Sequence, residues 1–393
     1  MIILSLISSN ACAQWYLFPG RNKEKKVQTD TVGVHIETPT ENVKYVIPDV
    51  VEEEKEDEYN YEDIGTIRAA VILPLQASGK ASANFLEMYG GILMAVRDMG
   101  EQGTRISLNV YDSAEEGTIN DFDIYDSNDI ILGPVTYNDI VQAAGLCPKD
   151  RRIISPLEPK AAALVDSSRV IQMPVHWTRQ IDEVTEWISS GLTRFEKIVV
   201  FEDSEQGEQK DYILSRLESC GKPFTKVAEA TSESLPEGES YRCIIASDRE
   251  EFIFQTVKNL SSLANDNRQI VLYSTSRVKS NSIDAKYLHT LNTHMTAVYF
   301  TDTENSDVRN FTLKYRALFK TEPGSFAFQG YDTMHYFIRM CTLYGKQWYK
   351  KIPEYSERGL QADFRFESSD TEGSINTAIR RVVFGNSSTS LLQ

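Results

Sequence analysis

The sequence predicts an α/β protein made of two Rossmann-like lobes in tandem, each a parallel sheet covered by helices. Three observations predict it. Short apolar runs rich in Val and Ile alternate with amphipathic stretches from Thr66 onward, and the same rhythm starts again after Val170–Trp177. The runs are apolar almost end to end, as strands buried on both faces must be.

Taken in order, Ile67–Leu75 (IRAAVILPL) reads as a buried strand, Ala83–Met99 as an amphipathic helix and Arg105–Ser113 as a second strand. Asp129–Val135 (DIILGPV) and Arg151–Leu157 (RRIISPL) follow, with a short helix between them. In the second half, a helix at QIDEVTEWISSGL precedes strand Lys197–Ser204, and a helix near EQKDYILSRLESC precedes strand Tyr241–Asp248. Helix EEFIFQTVKNLSSLA and strand Arg268–Ser276 complete that unit. Thr296–Thr303 then leads into two further helices and a C-terminal pair of strands, ADFRFES and TAIRRVVF.

The second of those late helices carries a polar stripe at helical spacing, Asp332, His335, Arg339 and Thr342, on an otherwise apolar body, with Gly345 placed to end it. Its body is expected to fill a core, and its first turn, Gln329 to Asp332, to stand at a ligand cleft.

The chain has 393 residues, 41% of them apolar, which suits two or three globular domains. Its 57 acidic against 41 basic residues give a net charge of −16, which repels nucleic acid and anionic lipid, and no apolar run reaches the roughly 18 residues that span a bilayer. Residues 1–13 read as the end of a secretory signal, with an Ala11-x-Ala13 site and cleavage before Gln14; lipid attachment at Cys12 is the alternative. Either way the protein is expected to be exported, to the periplasm or to an outer-membrane anchor. Residues 14–65 end in a dense acidic block whose like charges repel, so a disordered tether is expected. Cys147, Cys220, Cys243 and Cys341 show no metal or framework spacing. They are expected as free thiols, with a Cys220–Cys243 bridge as the alternative in an oxidising compartment.

In open parallel sheets, ligands sit outside the carboxyl ends of the strands, where loops and helix N-termini present N–H groups. That rule marks Gln76 and Ser78 after the first strand, Gly133, Thr136 and Tyr137 after the third, and Ser155 and Glu158 after the fourth. In the second lobe it marks Asp203 and Ser204, Ser247 and Asp248, and Ser274 and Thr275.

The blocks AAVILPL, YGGILMAVRDM, LNVYDS, DIILGPV, RRIISPL, KIVVFEDS, FAFQGYD and ADFRF…GSINTAIRRVVF stand in an order that resembles the type I periplasmic binding proteins, the fold of leucine/isoleucine/valine-binding proteins and of receptor ligand-binding regions. The resemblance covers about residues 66 to 385. It implies lobe one at 66–175 plus 303–359, lobe two at 176–302 plus 360–385, a tail at 386–393, and a three-segment hinge crossing near Pro174, Thr303 and Leu360. It also brings Gln329, Gly330 and Tyr331 to the cleft rim. The amino-acid clamp of that family is not matched: its threonine falls at Pro159, its tyrosine at Gln206 before Gly207, and its acid among Ser274, Thr275 and Ser276. An α-ammonium without a carboxylate partner would be poorly held in a closed cleft.

No nucleophile elbow, P-loop, dinucleotide fingerprint or zincin motif occurs. His289 and His294 lack a third metal ligand, and Glu202, Asp203 and Glu205 read as a solvated strand-end cluster before a cation or catalytic pair. The expectation is a protein that is not an enzyme and needs no cofactor or metal, closing its lobes on a small polar solute that is not a free amino acid. Its expected partner is a transporter permease or a cell-wall synthesis protein. The alternatives are a ligand-free scaffold or regulator of cell-wall synthesis, and a transporter-associated amino-acid-binding protein.

Overall fold

The computed structural model describes residues 59–76, 79, 82–280, 282–369, 373–385 and 388–392. The expected signal at 1–13 and the tether up to residue 58 lie outside the described residues. The described end of that tether is anchored: the Lys346 N–H donates to the Glu62 carbonyl at 2.8 Å, and Ile64 packs on the first core.

Strand β1 (Ile67–Leu73) is followed by α1 (Ala83–Glu101), β2 (Ile106–Asp112), α2 (Phe122–Asp126), β3 (Ile130–Leu132), α3 (Tyr137–Leu146), β4 (Ile153–Ser155) and β5 (Val170–Gln172). The second half runs α4 (Trp177–Ser189), β6 (Glu196–Glu202), α5 (Glu208–Ser219), β7 (Phe224–Val227), β8 (Glu239–Ala246), α6 (Glu250–Leu263), β9 (Arg268–Thr275), α7 (Ala285–Thr290) and β10 (His294–Ala297). The chain ends with α8 (Ser306–Phe319), α9 (Ser325–Tyr344), β11 (Glu357–Arg358), β12 (Asp363–Phe364), β13 (Phe366–Ser368), β14 (Ser374–Asn376), β15 (Arg380–Phe384) and β16 (Thr389–Leu391).

Two seven-stranded sheets result, ordered β13-β14-β5-β4-β3-β1-β2 and β16-β15-β10-β9-β8-β6-β7. Pairing is parallel except at β13–β14, β10–β15 and β15–β16. The central strands are short, rich in β-branched residues and buried on both faces, as the apolar runs require; β3 and β4 show no exposed residue, while the edge strands β2 and β7 are only half-buried. In the first lobe one face carries a core of Met88, Ile92, Phe337 and Trp348, and the other a core around Tyr125 and Ile140.

The C-terminal strands depart from expectation. ADFRFES and TAIRRVVF do not pair with each other: β13 pairs β14, which joins the first sheet beside β5, while β15 joins the second sheet beside β10. Residues 363–376 therefore belong with lobe one, not lobe two, and the third crossing falls at 377–379, not near Leu360. The expected tail also contributes β16, an edge strand on β15. Residues 173–176 link β5 of the first sheet to α4, and residues 298–305 lead from β10 of the second sheet to α8.

Helix α9 packs along α1, and the stripe on α9 has a specific purpose. Asp332 accepts the N–H groups of Leu360, Gln361 and Ala362 at 2.7, 2.8 and 3.0 Å, His335 meets Glu357 at 2.8 Å, and Arg339 donates to the Tyr355 hydroxyl at 2.8 Å. The stripe is the seam for the returning chain, and Phe337 and Ile338 on the body are fully buried.

Candidate functional site at the strand ends

In lobe one, β1 ends into a turn whose Leu75 and Gln76 N–H groups donate to the Asp112 carboxylate at 3.1 and 3.0 Å. Gln76 is exposed, and Ser78 lies outside the described residues. Gly133, after β3, is buried at φ +98°; a Cβ there would lie 2.1 Å from the Ile72 carbonyl oxygen, so the position is fixed by strand packing. Thr136 caps α3, its hydroxyl accepting from the Asp139 N–H at 3.3 Å and donating to the Asp139 carboxylate at 2.6 Å, with Tyr137 half-buried beside it. Glu158 caps the short 3₁₀ helix at 159–164 by accepting from the Lys160 N–H at 2.9 Å. Ser155 is fully buried, and its hydroxyl has no partner among the described residues.

In lobe two the strand ends carry charge. Asp203, 2% exposed, accepts from Arg249 Nε at 2.8 Å and Nη2 at 2.6 Å, from the Ser247 hydroxyl at 2.6 Å and from the Glu205 N–H at 3.2 Å. Hydrogen bonds from Arg249 hold its carboxyl well below the usual range, outweighing the opposing effect of burial. Ser204 is exposed. Asp248 sits at the N-terminus of α5, accepting from the Gln209 and Lys210 N–H groups at 3.2 and 3.0 Å. Arg277, whose burial lowers its pKa, donates to the Ser247 and Asp248 carbonyls at 2.7 and 2.6 Å.

The acidic cluster at the end of β6 therefore does hold cations, and they are the chain's own. Lys210 Nζ donates to the Asp203 carbonyl at 2.5 Å and stands 3.4 Å from Glu202, and Arg249 lies 3.1 Å from Glu205. His289 and His294 are packed against carbonyls of Gly385 and Asn292 at 2.6 and 2.8 Å. Cys147, Cys220, Cys243 and Cys341 are free thiols.

Two depressions open at these ends. In lobe two, Ser274 and Thr275 line one with Gln209, Ser247 and Arg277. In lobe one, Gln329 lines another with Pro156, Tyr299 of the second crossing, Asp332 and Asn376. Tyr331 does not reach this rim. Two residues along a helix turn by about 200°, so Tyr331 faces away from Gln329, its hydroxyl donating to Asp98 at 3.2 Å and its ring 4.9 Å from that of Phe311. Gly330 also leaves the rim, since a Cβ there would stand 2.1 Å from the Met88 carbonyl oxygen on α1.

The loops named from the sequence stand at strand ends; Asp112, Gln209, Tyr299 and Asn376, which lie among them, were not named. For Asp112 a signal exists: an aspartate as the last residue of an apolar strand, as in LNVYD, is placed to bond the N–H groups of a neighbouring strand-end turn.

Among solved structures, one from Rhodospirillum rubrum assigned to branched-chain amino acid ABC transport superposes with a TM-score of 0.58 at 13% identity, over 83% of this chain and 100% of that one. The chain has the type I periplasmic-binding-protein fold. A branched-chain amino acid ABC transporter periplasmic ligand-binding protein from Burkholderia xenovorans gives 0.50 at 11% identity, over 84% of this chain and 95% of that one. No family model and no curated protein matches the sequence. At such identities the likeness is one of fold. Among the described residues no helix is long and apolar enough to cross a membrane.

Proposed function

We propose that this is a non-enzymatic two-lobed binding protein of the cell envelope, exported to the periplasm or anchored at the outer membrane, that takes a small neutral polar solute between its lobes and not a free amino acid. The observation that carries the reading is that strand-end groups able to hold an anion or a zwitterion are already engaged within the chain. Asp112 takes the Leu75 and Gln76 N–H groups, Asp248 takes those at the start of α5, and Arg249 is paired with Asp203. An α-carboxylate approaching the Asp112 or Asp248 turn would meet a like charge, and Arg277, the cation that lines the lobe-two depression, already spends its Nη groups on the Ser247 and Asp248 carbonyls. Beside Arg277 and Asp332, the polar groups that line the two largely apolar depressions are hydroxyls and amides, among them Ser274, Thr275, Gln209, Gln329 and Asn376. Such groups suit a neutral hydrogen-bonding ligand. A transporter permease is the natural partner of that activity.

The same internal pairing favours a second reading, a scaffold or regulator of cell-wall synthesis that binds no solute. Native mass spectrometry of protein purified from its host separates the two. A retained neutral polar molecule is expected, with no saturable calorimetric heat from any of the standard amino acids below millimolar concentration. Tight leucine binding would overturn the reading, and protein that emerges empty and takes up no host solute would favour the scaffold.

A further inference from the structure

The second and third crossings are fastened to one turn, and the first is not. Arg380, the first residue of β15 and 3% exposed, donates from Nη1 to the Phe300 carbonyl at 2.6 Å and the Leu360 carbonyl at 3.3 Å. Its Nη2 donates to the Gly359 carbonyl and to Asp363 Oδ1, both at 2.6 Å, and its Nε reaches the same Asp363 oxygen at 3.1 Å. Phe300 lies on the second crossing, and its own N–H donates to the Gln361 carbonyl at 2.9 Å. The opposite side of the turn is held by lobe one through the three N–H groups that Asp332 accepts. Asn376 and Thr377 tie the start of the third crossing to the same segment: Asn376 Nδ2 donates to the Asp363 carbonyl at 3.1 Å, and the Thr377 N–H to the Arg365 carbonyl at 2.8 Å.

The 359–363 turn is thus a peg. Its N–H groups are gripped by a carboxylate of lobe one, and its carbonyls by a guanidinium that begins a strand of lobe two. Separating the lobes there would leave a buried guanidinium without acceptors, the costly direction for any charged donor. The first crossing is different. Its bonds are local to its two ends: Met173 N–H donates to the Ser155 carbonyl at 3.0 Å and Gln172 Nε2 to the Pro174 carbonyl at 3.4 Å on the lobe-one side, and on the lobe-two side His176 meets the Thr178 hydroxyl at 2.8 Å and accepts the Arg179 N–H at 3.0 Å, none of them reaching the 359–363 turn.

We propose that the 359–363 turn is an interlobe lock. It makes the second and third crossings one rigid post, so the lobes hold a nearly fixed angle and move, if at all, by a small twist about that post. The wide closure expected from the resemblance is then absent, whichever solute is bound or none.

Hydrogen exchange and small-angle scattering on the full chain without added solute test it. In the wild type the Leu360, Gln361 and Ala362 amides should exchange at least about a hundredfold more slowly than in an unstructured chain. Arg380→Lys, which keeps the charge but not the fork, should cut that protection at least about tenfold while amides of β1 and β8 stay protected. Its scattering should require a spread of lobe angles where the wild type fits one. If Arg380→Lys unfolds the chain, Asp332→Asn, which removes the grip from the other lobe, carries the same expectations. Unprotected amides in the wild type, or a folded variant whose protection and scattering match the wild type, would overturn the lock.

Discussion

Two aspartate–arginine pairs hold different parts of this molecule. At the crossings, Asp363 and Arg380 meet at 2.6 Å, with the arginine side chain 2% exposed; at the ends of β6 and β8, Asp203 and Arg249 meet at the same 2.6 Å, with the arginine 41% exposed. The distances are equal, so the difference lies in which partner water can reach. Arg380 has exchanged its hydration for four protein acceptors and cannot recover it without moving a lobe. Arg249 keeps one side in solvent, so its ion pair fixes the local charge of a strand end more than it holds the fold. Equal geometry gives a joint in one place and a solvent-facing strand-end pair in the other.

The largest expected effect is at the joint. Arg380→Ala should destabilise the chain by about 3–5 kcal/mol, the range for breaking a buried pair by removing one partner. Chemical denaturation would check it, and a loss under about 1 kcal/mol would show that the carbonyls at 300, 359 and 360 find water easily. Arg249→Ala should cost less than Arg380→Ala, because solvent reaches the space it leaves although Asp203 stays buried. If the two losses proved equal, exposure would not be what separates the regions.

Proton linkage sharpens the contrast, because the aspartates of the two regions shift in opposite directions. Asp203 titrates below its unfolded value, held there by Arg249, so its contribution is present above about pH 4 and is lost as pH falls. Asp332, buried beneath the 359–363 turn, is pushed up to about 6 by burial, against three N–H bonds and Arg380, which pull it down. Its contribution is full below the unfolded value and is lost as pH rises through 6. Between pH 4 and 6 the wild type should therefore lose stability with a slope of up to about 1.4 kcal/mol per pH unit relative to Asp332→Asn. The Asp203→Asn variant should differ from wild type in slope only below about pH 4. Denaturation series across pH would detect a reversed sign at either site.

How much of this was legible follows from what each feature depends on. The two sheets were readable because strands such as β3 and β6 declare burial by composition alone. The stripe on α9 was readable as a stripe, since Asp332, His335 and Arg339 recur at helical spacing. Its partner was not, because nothing local in Tyr355 to Ala362 says that the segment folds back on that helix. The same limit explains Tyr331, which adjoins Gln329 in sequence but turns away from the rim on the helix. It also explains the third crossing, whose place was set by β14 joining β5 across about two hundred residues. Strand-end loops could be located by the rule for parallel sheets. That Asp112 and Asp248 would fill them from within depends on contacts to Gln76 and Gln209, which periodicity does not encode.

The smallest expected effect concerns Glu205, which faces Arg249 at 3.1 Å from the outside of the strand-end network and is 63% exposed. Arg249 already has two bonds to Asp203, so Glu205 adds a solvent-screened contact to a cation whose position is set without it. Glu205→Gln should change stability by less than about 0.5 kcal/mol, as for exposed pairs, and the change should shrink further in high salt. The Glu205 N–H that bonds Asp203 is untouched by this substitution, so the turn itself is kept. A loss above about 1.5 kcal/mol that salt does not reduce would mean that Glu205 shares the joint-like order of Arg380, and that exposure alone does not distinguish a strand-end pair from a joint.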